Sequence, residues 1–254
     1  MNDFAEIDCV AVAINGLQLT RGPRMLISDI TIGIPPGEIF AIIGGSGCGK
    51  STLLKHLIGI QEAPPKKIML NGHDMNMADS RGQALEQLGV LFQSGALWSS
   101  MTILENVAML LEKDGHLTDG EVRAIANLKL DLVGLGDFGT YYPHELSGGM
   151  VKRAGIARAL ARNPSILFLD EPSAGLDPVS SRELDQLILQ MRENYSMTIV
   201  MVTHELRSIY AIVDRVAYLD AESHSLLQMG DPRQLANCSP FEKIRNFFAH
   251  EGSH

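Results

Sequence analysis

The feature that most constrains this chain is a junction. The apolar run Ile39 to Ile43 ends in Gly44-Gly45-Ser46-Gly47-Cys48-Gly49-Lys50-Ser51, and a helical pattern follows from Ser51 to Ile60. The spacing G-x-x-x-x-G-K-S/T between a strand and a helix is that of a phosphate cradle. Glycines let backbone N–H groups turn inward around phosphate oxygens, and the helix N-terminus adds its positive end. Lys50 is placed to reach the β- and γ-phosphates as a point charge. The Ser51 hydroxyl is placed to ligate Mg²⁺, and Thr52 to make a further phosphate contact. A strand feeding a helix through such a loop belongs to an α/β fold with a parallel sheet. The ligand this predicts is a nucleotide with Mg²⁺.

The rest of the chain agrees with that fold class. Ile166 to Leu169 and Thr198 to Val202 are continuous apolar runs, as strands buried on both faces require. Val10 to Leu19 and Ile27 to Ile34 alternate with period two and predict an antiparallel portion. Met101 to Ser147 has a different texture. Thr102 with Glu105, and Thr118 with Glu121, are capping-box patterns that open helical stripes, the second running to about Val133. This predicts a helical subdomain inserted in the core. A terminal helix is expected from about Pro240 to Ala249. The domain organisation expected is one domain over 1–254: a core at about 1–92 and 163–237, helices at about 93–162, and a tail at about 238–254.

Charge and composition narrow the function classes. The net charge of −9 argues against a general nucleic-acid binder. Cys9, Cys48 and Cys238 have no metal-ligand spacing and suggest a reducing compartment. Met1 to Asp8 is acidic, unlike a signal peptide, and no apolar run approaches the ~18 residues of a membrane span. The expectation is a cytoplasmic chain that meets a membrane through a partner.

Asp170 follows the run Ile166 to Leu169, so a buried strand carries it to the rim of the sheet, where a carboxylate can hold Mg²⁺ through water. Glu171 alternates to the other side and is placed to orient or deprotonate the attacking water. Leu146-Ser147-Gly148-Gly149-Met150 precedes a helix carrying Lys152, Arg153, Arg158 and Arg162. Asp170-Glu171-Pro172 is followed by Ser173-Ala174-Gly175-Leu176-Asp177. Gln93 comes just after the apolar stretch Val90 to Phe92, and His204 just after Val202.

This ordered set resembles the nucleotide-binding subunits of ATP-binding-cassette (ABC) transporters over nearly the whole chain. The resemblance implies an ATPase that works as a head-to-tail homodimer. In it, Ser147, Gly148 and Gly149 of one copy close over the γ-phosphate held by Gly44 to Thr52 of the other. It implies that Asp177 shapes the contact between the two sites, that His204 contacts the γ-phosphate, and that Gln93 contacts Mg²⁺ or the lytic water. One landmark departs from the pattern. Many family members stack an aromatic residue on adenine, whereas this stretch reads Leu17-Gln18-Leu19-Thr20-Arg21-Gly22. Arg21 either lies flat on the base or is a solvated turn residue.

Phe92-Gln93-Ser94-Gly95-Ala96-Leu97, the Thr20-Arg21-Gly22 turn and the tail Ile244 to Phe248 resemble a narrower group. These are the ATPases of the Mla, or mammalian-cell-entry (MCE)-linked, phospholipid transporters. That implies integral-membrane permease subunits, an MCE-domain lipid-binding partner, and a place on the cytoplasmic face of the inner membrane. Trp98 either packs the helical subdomain or marks a groove for the permease. The apolar face of Phe241, Ile244, Phe247 and Phe248 either packs on its own subunit or crosses to the other. A cassette ATPase for another cargo, such as an amino acid or a metal, shares every catalytic residue. A cassette protein acting on ribosomes or DNA fits less well, because the chain has one phosphate loop and no heptad run.

Overall fold

The computed structural model describes residues 10–112 and 115–249. Cys9, the acidic stretch Met1 to Asp8 and the end of the tail lie outside them. Two long strands open the chain, β1 (Val12–Arg21) and β2 (Arg24–Ile34), joined by a tight hairpin at Gly22 and Pro23. The strand β3 (Ile39–Gly44) leads into helix α1 (Lys50–Leu57). Short strands β4 (Ile68–Leu70) and β5 (His73–Asp74), helix α2 (Arg81–Glu86) and strand β6 (Leu88–Leu91) come next. Three helices follow: α3 (Ile103–Glu112), α4 (Asp119–Leu132) and α5 (Gly148–Ala159). The chain returns through β7 (Ile166–Asp170), α6 (Pro178–Tyr195), β8 (Thr198–Val202) and α7 (Leu206–Ile212). It closes with β9 (Arg215–Asp220), β10 (Ser225–Gly230), α8 (Pro232–Cys238) and α9 (Glu242–Ala249).

The described strands form one sheet in the order β5-β4-β1-β2-β10-β9-β3-β8-β7-β6. From β9 to β6 every pairing is parallel; β1, β2, β4 and β5 pair antiparallel with one another. The expected α/β architecture is therefore present. The central strands are buried on both faces, and their alternation splits the core in two. Ile39, Ala41 and Ile43, with Leu167, Leu169, Ile199 and Met201, face α3 to α7. Phe40 and Ile42, with Ile166, Phe168, Val200 and Val202, face α1 and the antiparallel strands.

Boundaries moved for local reasons. β1 runs on to Arg21 because the hairpin turns only at Gly22, at φ 59°. Helix α1 stops at Leu57, where the N–H of its cap Ile58 closes on the Leu54 carbonyl at 3.0 Å and that of Gly59 on the His56 carbonyl at 3.1 Å, with Gly59 left-handed at φ 75°. Both capping boxes form. Thr118 Oγ1 accepts from Glu121 N at 3.4 Å, and Thr118 N donates to Glu121 Oε2 at 2.8 Å. Thr102 N donates to Glu105 Oε2 at 2.7 Å. Helix α9 lies on its own chain, with Ile244 and Phe248 buried and the Phe247 and Phe248 rings 5.7 Å from those of Tyr218 and Tyr210. Among the described residues no helix is long and apolar enough to cross a membrane. Cys48 is buried and Cys238 exposed, both as free thiols.

Candidate active site

The parallel order puts three functional segments side by side. β8 lies between β3 and β7, so the C-terminal ends of these strands deliver Gly44, Thr203 to His204, and Asp170 to Glu171 to one rim of the sheet. The phosphate loop spans β3 and α1. Gly45, Ser46, Gly47 and Ser51 are exposed, Thr52 is half-buried, and Cys48 and Gly49 are buried under the loop. Gly44 is obligatory. Its φ is 141°, and a Cβ there would sit 2.2 Å from the Leu219 carbonyl oxygen. The Lys50 ammonium lies over the loop and donates to the carbonyls of Gly44 at 2.7 Å and Gly45 at 3.0 Å. The cradle thus presents one cation and a helix N-terminus to solvent, as an anionic phosphate chain requires.

Asp170 ends β7, opposite Val202 of β8. Burial and the adjacent Glu171 raise its pKa above the ordinary carboxylate value, and Lys152 and Lys55 oppose that shift. Glu171 sits in the left-handed region at φ 45°, which is uncommon outside glycine. Its N–H is held by the Val202 carbonyl at 2.8 Å and its side chain by His204, with Nδ1 2.9 Å from Oε1. A carboxylate in contact with an exposed imidazole can take a proton from water and keep its orientation.

The acidic and amide side chains also offer a hard-cation donor set. Ser51 hydroxyl, Gln93 amide and Asp170 carboxylate are all oxygen ligands, which suits Mg²⁺. Among the described residues no group of three or more His, Cys, Asp or Glu forms a self-sufficient metal cage. A cation here would share its coordination with nucleotide oxygens and water.

The remaining landmarks lie on the helical side. Ser147 caps α5, its Oγ accepting from Met150 N at 3.3 Å, and Ser147 and Gly148 are exposed. Asp177 caps α6, with Oδ1 accepting from Val179 N at 2.9 Å and Ser180 N at 3.1 Å. The two caps are neighbours, since a Cβ on Gly149 would lie 3.1 Å from Ser180 Cβ. Gln93 is exposed just beyond β6. Arg21 is exposed at the hairpin, across from Arg24. Leu26 and Ile27 of the same hairpin lie 3.4 Å from where a Gly49 Cβ would be, so the turn stands beside the phosphate loop.

Three residues have structural weight that motif reading gave no sign of. The Lys152 ammonium is buried and donates to the Gln93 and Glu171 carbonyls, the latter at 3.0 Å. Burial lowers its pKa, and the charges of Asp170 and Glu171 pull it back up. Arg158 donates to the Ala96 carbonyl. Asn106, fully buried, exchanges hydrogen bonds with both backbone groups of Trp98 and donates to the carbonyls of Met101 and Thr102. Trp98 itself is 58% exposed, which settles the two expectations for it against core packing. A buried polar residue inside an amphipathic stripe was the one available signal, in Asn106 of α3.

The ABC transporter family model matches residues 27–174, from β2 through the phosphate loop to the carboxylate pair. The chain belongs to the ABC transporter family. It is an ATP-binding ATPase. It is 38% identical over 240 residues to the probable ribonucleotide transport ATP-binding protein mkl of Mycobacterium leprae, covering 94% of this chain and 68% of that one. It is 35% identical over 232 residues to the intermembrane phospholipid transport system ATP-binding protein MlaF of Haemophilus influenzae, covering 87% and 88%. It is 39% identical over 197 residues to the methionine import protein MetN of Cupriavidus pinatubonensis, covering 77% of this chain and 57% of that one. Among solved structures, a dimeric ATP-binding cassette in a post-hydrolysis state with ADP and phosphate superposes with a TM-score of 0.75 at 27% identity. That match covers 87% of this chain and 98% of that one.

Proposed function

We propose that two copies of this chain close head to tail on ATP and drive a membrane permease that moves phospholipid between the inner and outer membranes. The observation that carries the ATPase cycle is the Glu171–His204 contact of 2.9 Å at the rim beside the phosphate loop. In this reading Lys50 and the backbone of Gly44 to Thr52 hold the phosphates. Glu171 orients and deprotonates the attacking water, and His204 contacts the γ-phosphate and keeps Glu171 in place. Ser51, Gln93 and, through water, Asp170 would hold Mg²⁺, which supplies charge neutralisation at the β- and γ-phosphate oxygens. Ser147 and Gly148 are exposed and Gly149 is buried behind them; this segment of one copy would cover the nucleotide of the other, and Asp177 would lie at the contact between the sites. Arg21 would offer its guanidinium face to the adenine.

The lipid cargo is supported by the near full-length match to MlaF, on both chains, and by the form of the loop from Phe92 to Leu97. The exposed Trp98 suits a permease helix seated beside the helical layer. The chain would then work at the cytoplasmic face of the inner membrane, with an MCE-domain lipid-binding protein as the permease's further partner. The matches to mkl and MetN favour a second reading, the same engine on another cargo.

Two measurements test these readings. Glu171→Gln should bind ATP, accumulate as an ATP-dependent dimer and lose at least about 100-fold in turnover; turnover near wild type would remove Glu171 from its role. Purification of the native membrane complex in mild detergent should bring down a permease, an MCE-domain protein and phospholipid. A permease with a different receptor and no phospholipid would keep the ATPase assignments and refute the cargo.

A further inference from the structure

Helix α5 does more than present Ser147 to Gly149. It grips the loop that carries Gln93 along its length. Arg158 donates to the Ala96 carbonyl, one turn from Gly155. Gly155 packs so close to the end of β6 and to this loop that a Cβ on it would sit 2.6 Å from Leu91 Cδ1 and 3.2 Å from the Gly95 oxygen. Lys152, one turn earlier and 5% exposed, donates to the Gln93 carbonyl and reaches past it to the Glu171 carbonyl at 3.0 Å. Its ammonium is therefore shared between two loops from different strands, β6 and β7. Glu171 is the residue of that pair whose backbone is left-handed, and so the one whose carbonyl direction most needs an external anchor. A lysine amine offers three donors and can satisfy both carbonyls at once.

We propose that Lys152 is a positioning residue for hydrolysis, stapling the Gln93 backbone to the Glu171 backbone so that helix α5 carries both with it. Its ammonium donates to the Gln93 and Glu171 carbonyls, so it serves the chemical step and not nucleotide capture. The inference rests on the reading of Glu171 given above.

The test compares Lys152→Met, which keeps the stem and loses the donors, with Lys152→Gln, which restores two N–H donors without the charge. Steady-state ATPase assays on the full chain should show kcat at least tenfold lower in Lys152→Met with KM for ATP within threefold of wild type. Lys152→Gln should recover kcat to within threefold. In a Glu171→Gln background, Lys152→Met should leave the ATP-dependent dimer intact on size exclusion. A Lys152→Met kcat within twofold of wild type would overturn the staple. So would equal losses in the Met and Gln variants, or loss of the dimer in the double variant. Should Lys152→Met fail to fold, a folded Lys152→Gln with kcat tenfold down overturns the proposal and one within threefold supports it. A dead Glu171→Gln beside a fully active Lys152→Met refutes the staple alone, whereas an active Glu171→Gln refutes the reading beneath it.

Discussion

Asp185 gives a prediction whose sign and size both follow from its surroundings. It sits on α6, 7% exposed, where its Oδ2 accepts from Ser208 Oγ of α7 at 3.0 Å. Its pKa is raised from 3.8 to about 6, chiefly by burial, with the Ser208 hydrogen bond lowering it and the Glu205 charge raising it. Arg182 and Arg207 line the same cavity of about 270 Å³. The folded state thus holds the proton more tightly than the unfolded chain does. Between the two pKa values folding takes up protons, so this carboxyl costs stability increasingly as pH rises from about 4 to 6, and the full cost persists above. The shift corresponds to about 3 kcal/mol at pH 7.5 and about 1 kcal/mol at pH 4.5. Asp185→Asn keeps an acceptor for Ser208 and removes the ionisation. Urea unfolding should show the variant more stable at pH 7.5 by about 3 kcal/mol, with the advantage shrinking by about 2 kcal/mol at pH 4.5. An advantage independent of pH, or a variant less stable at pH 7.5, would refute the reasoning.

Lys50→Ala should weaken ATP binding at least tenfold by equilibrium dialysis, because it removes the one side-chain cation of the phosphate loop; unchanged affinity would contradict the cradle. Asn106→Ala strips the buried partners from Trp98, Met101 and Thr102 and should cost about 3 kcal/mol in urea unfolding. Trp98 is the chain's single tryptophan, so the same variant should lower its fluorescence anisotropy as the segment loosens. Gly155→Ala forces a methyl into Leu91 and the Gly95 backbone and should cost about 2 kcal/mol by thermal unfolding.

What could be read from the sequence was whatever is local or periodic. The strand Ile39 to Gly44, the loop to Ser51 and the capping boxes at Thr102 and Thr118 are fixed by residues within a few positions of one another, and the structure has each. Buried runs of apolar residues marked β7 and β8 because both faces of those strands meet helices or other strands. The strands β9 and β10 and the helix α2 were harder to see, since β10 is half-buried throughout and α2 is only 6 residues long. Pairings across the fold left no trace in spacing. That Trp98 points outward follows from Asn106 taking both of its backbone groups, and that α9 lies on its own chain follows from Tyr210 and Tyr218, whose positions depend on the whole sheet. Lys152 is the sharpest case. In the sequence it is one basic residue among several after Gly149, with the appearance of a solvated helix face. Only the packing of α5 against β6 and β7 makes it a buried amine between two loops, and only there does its chemistry bear on the site.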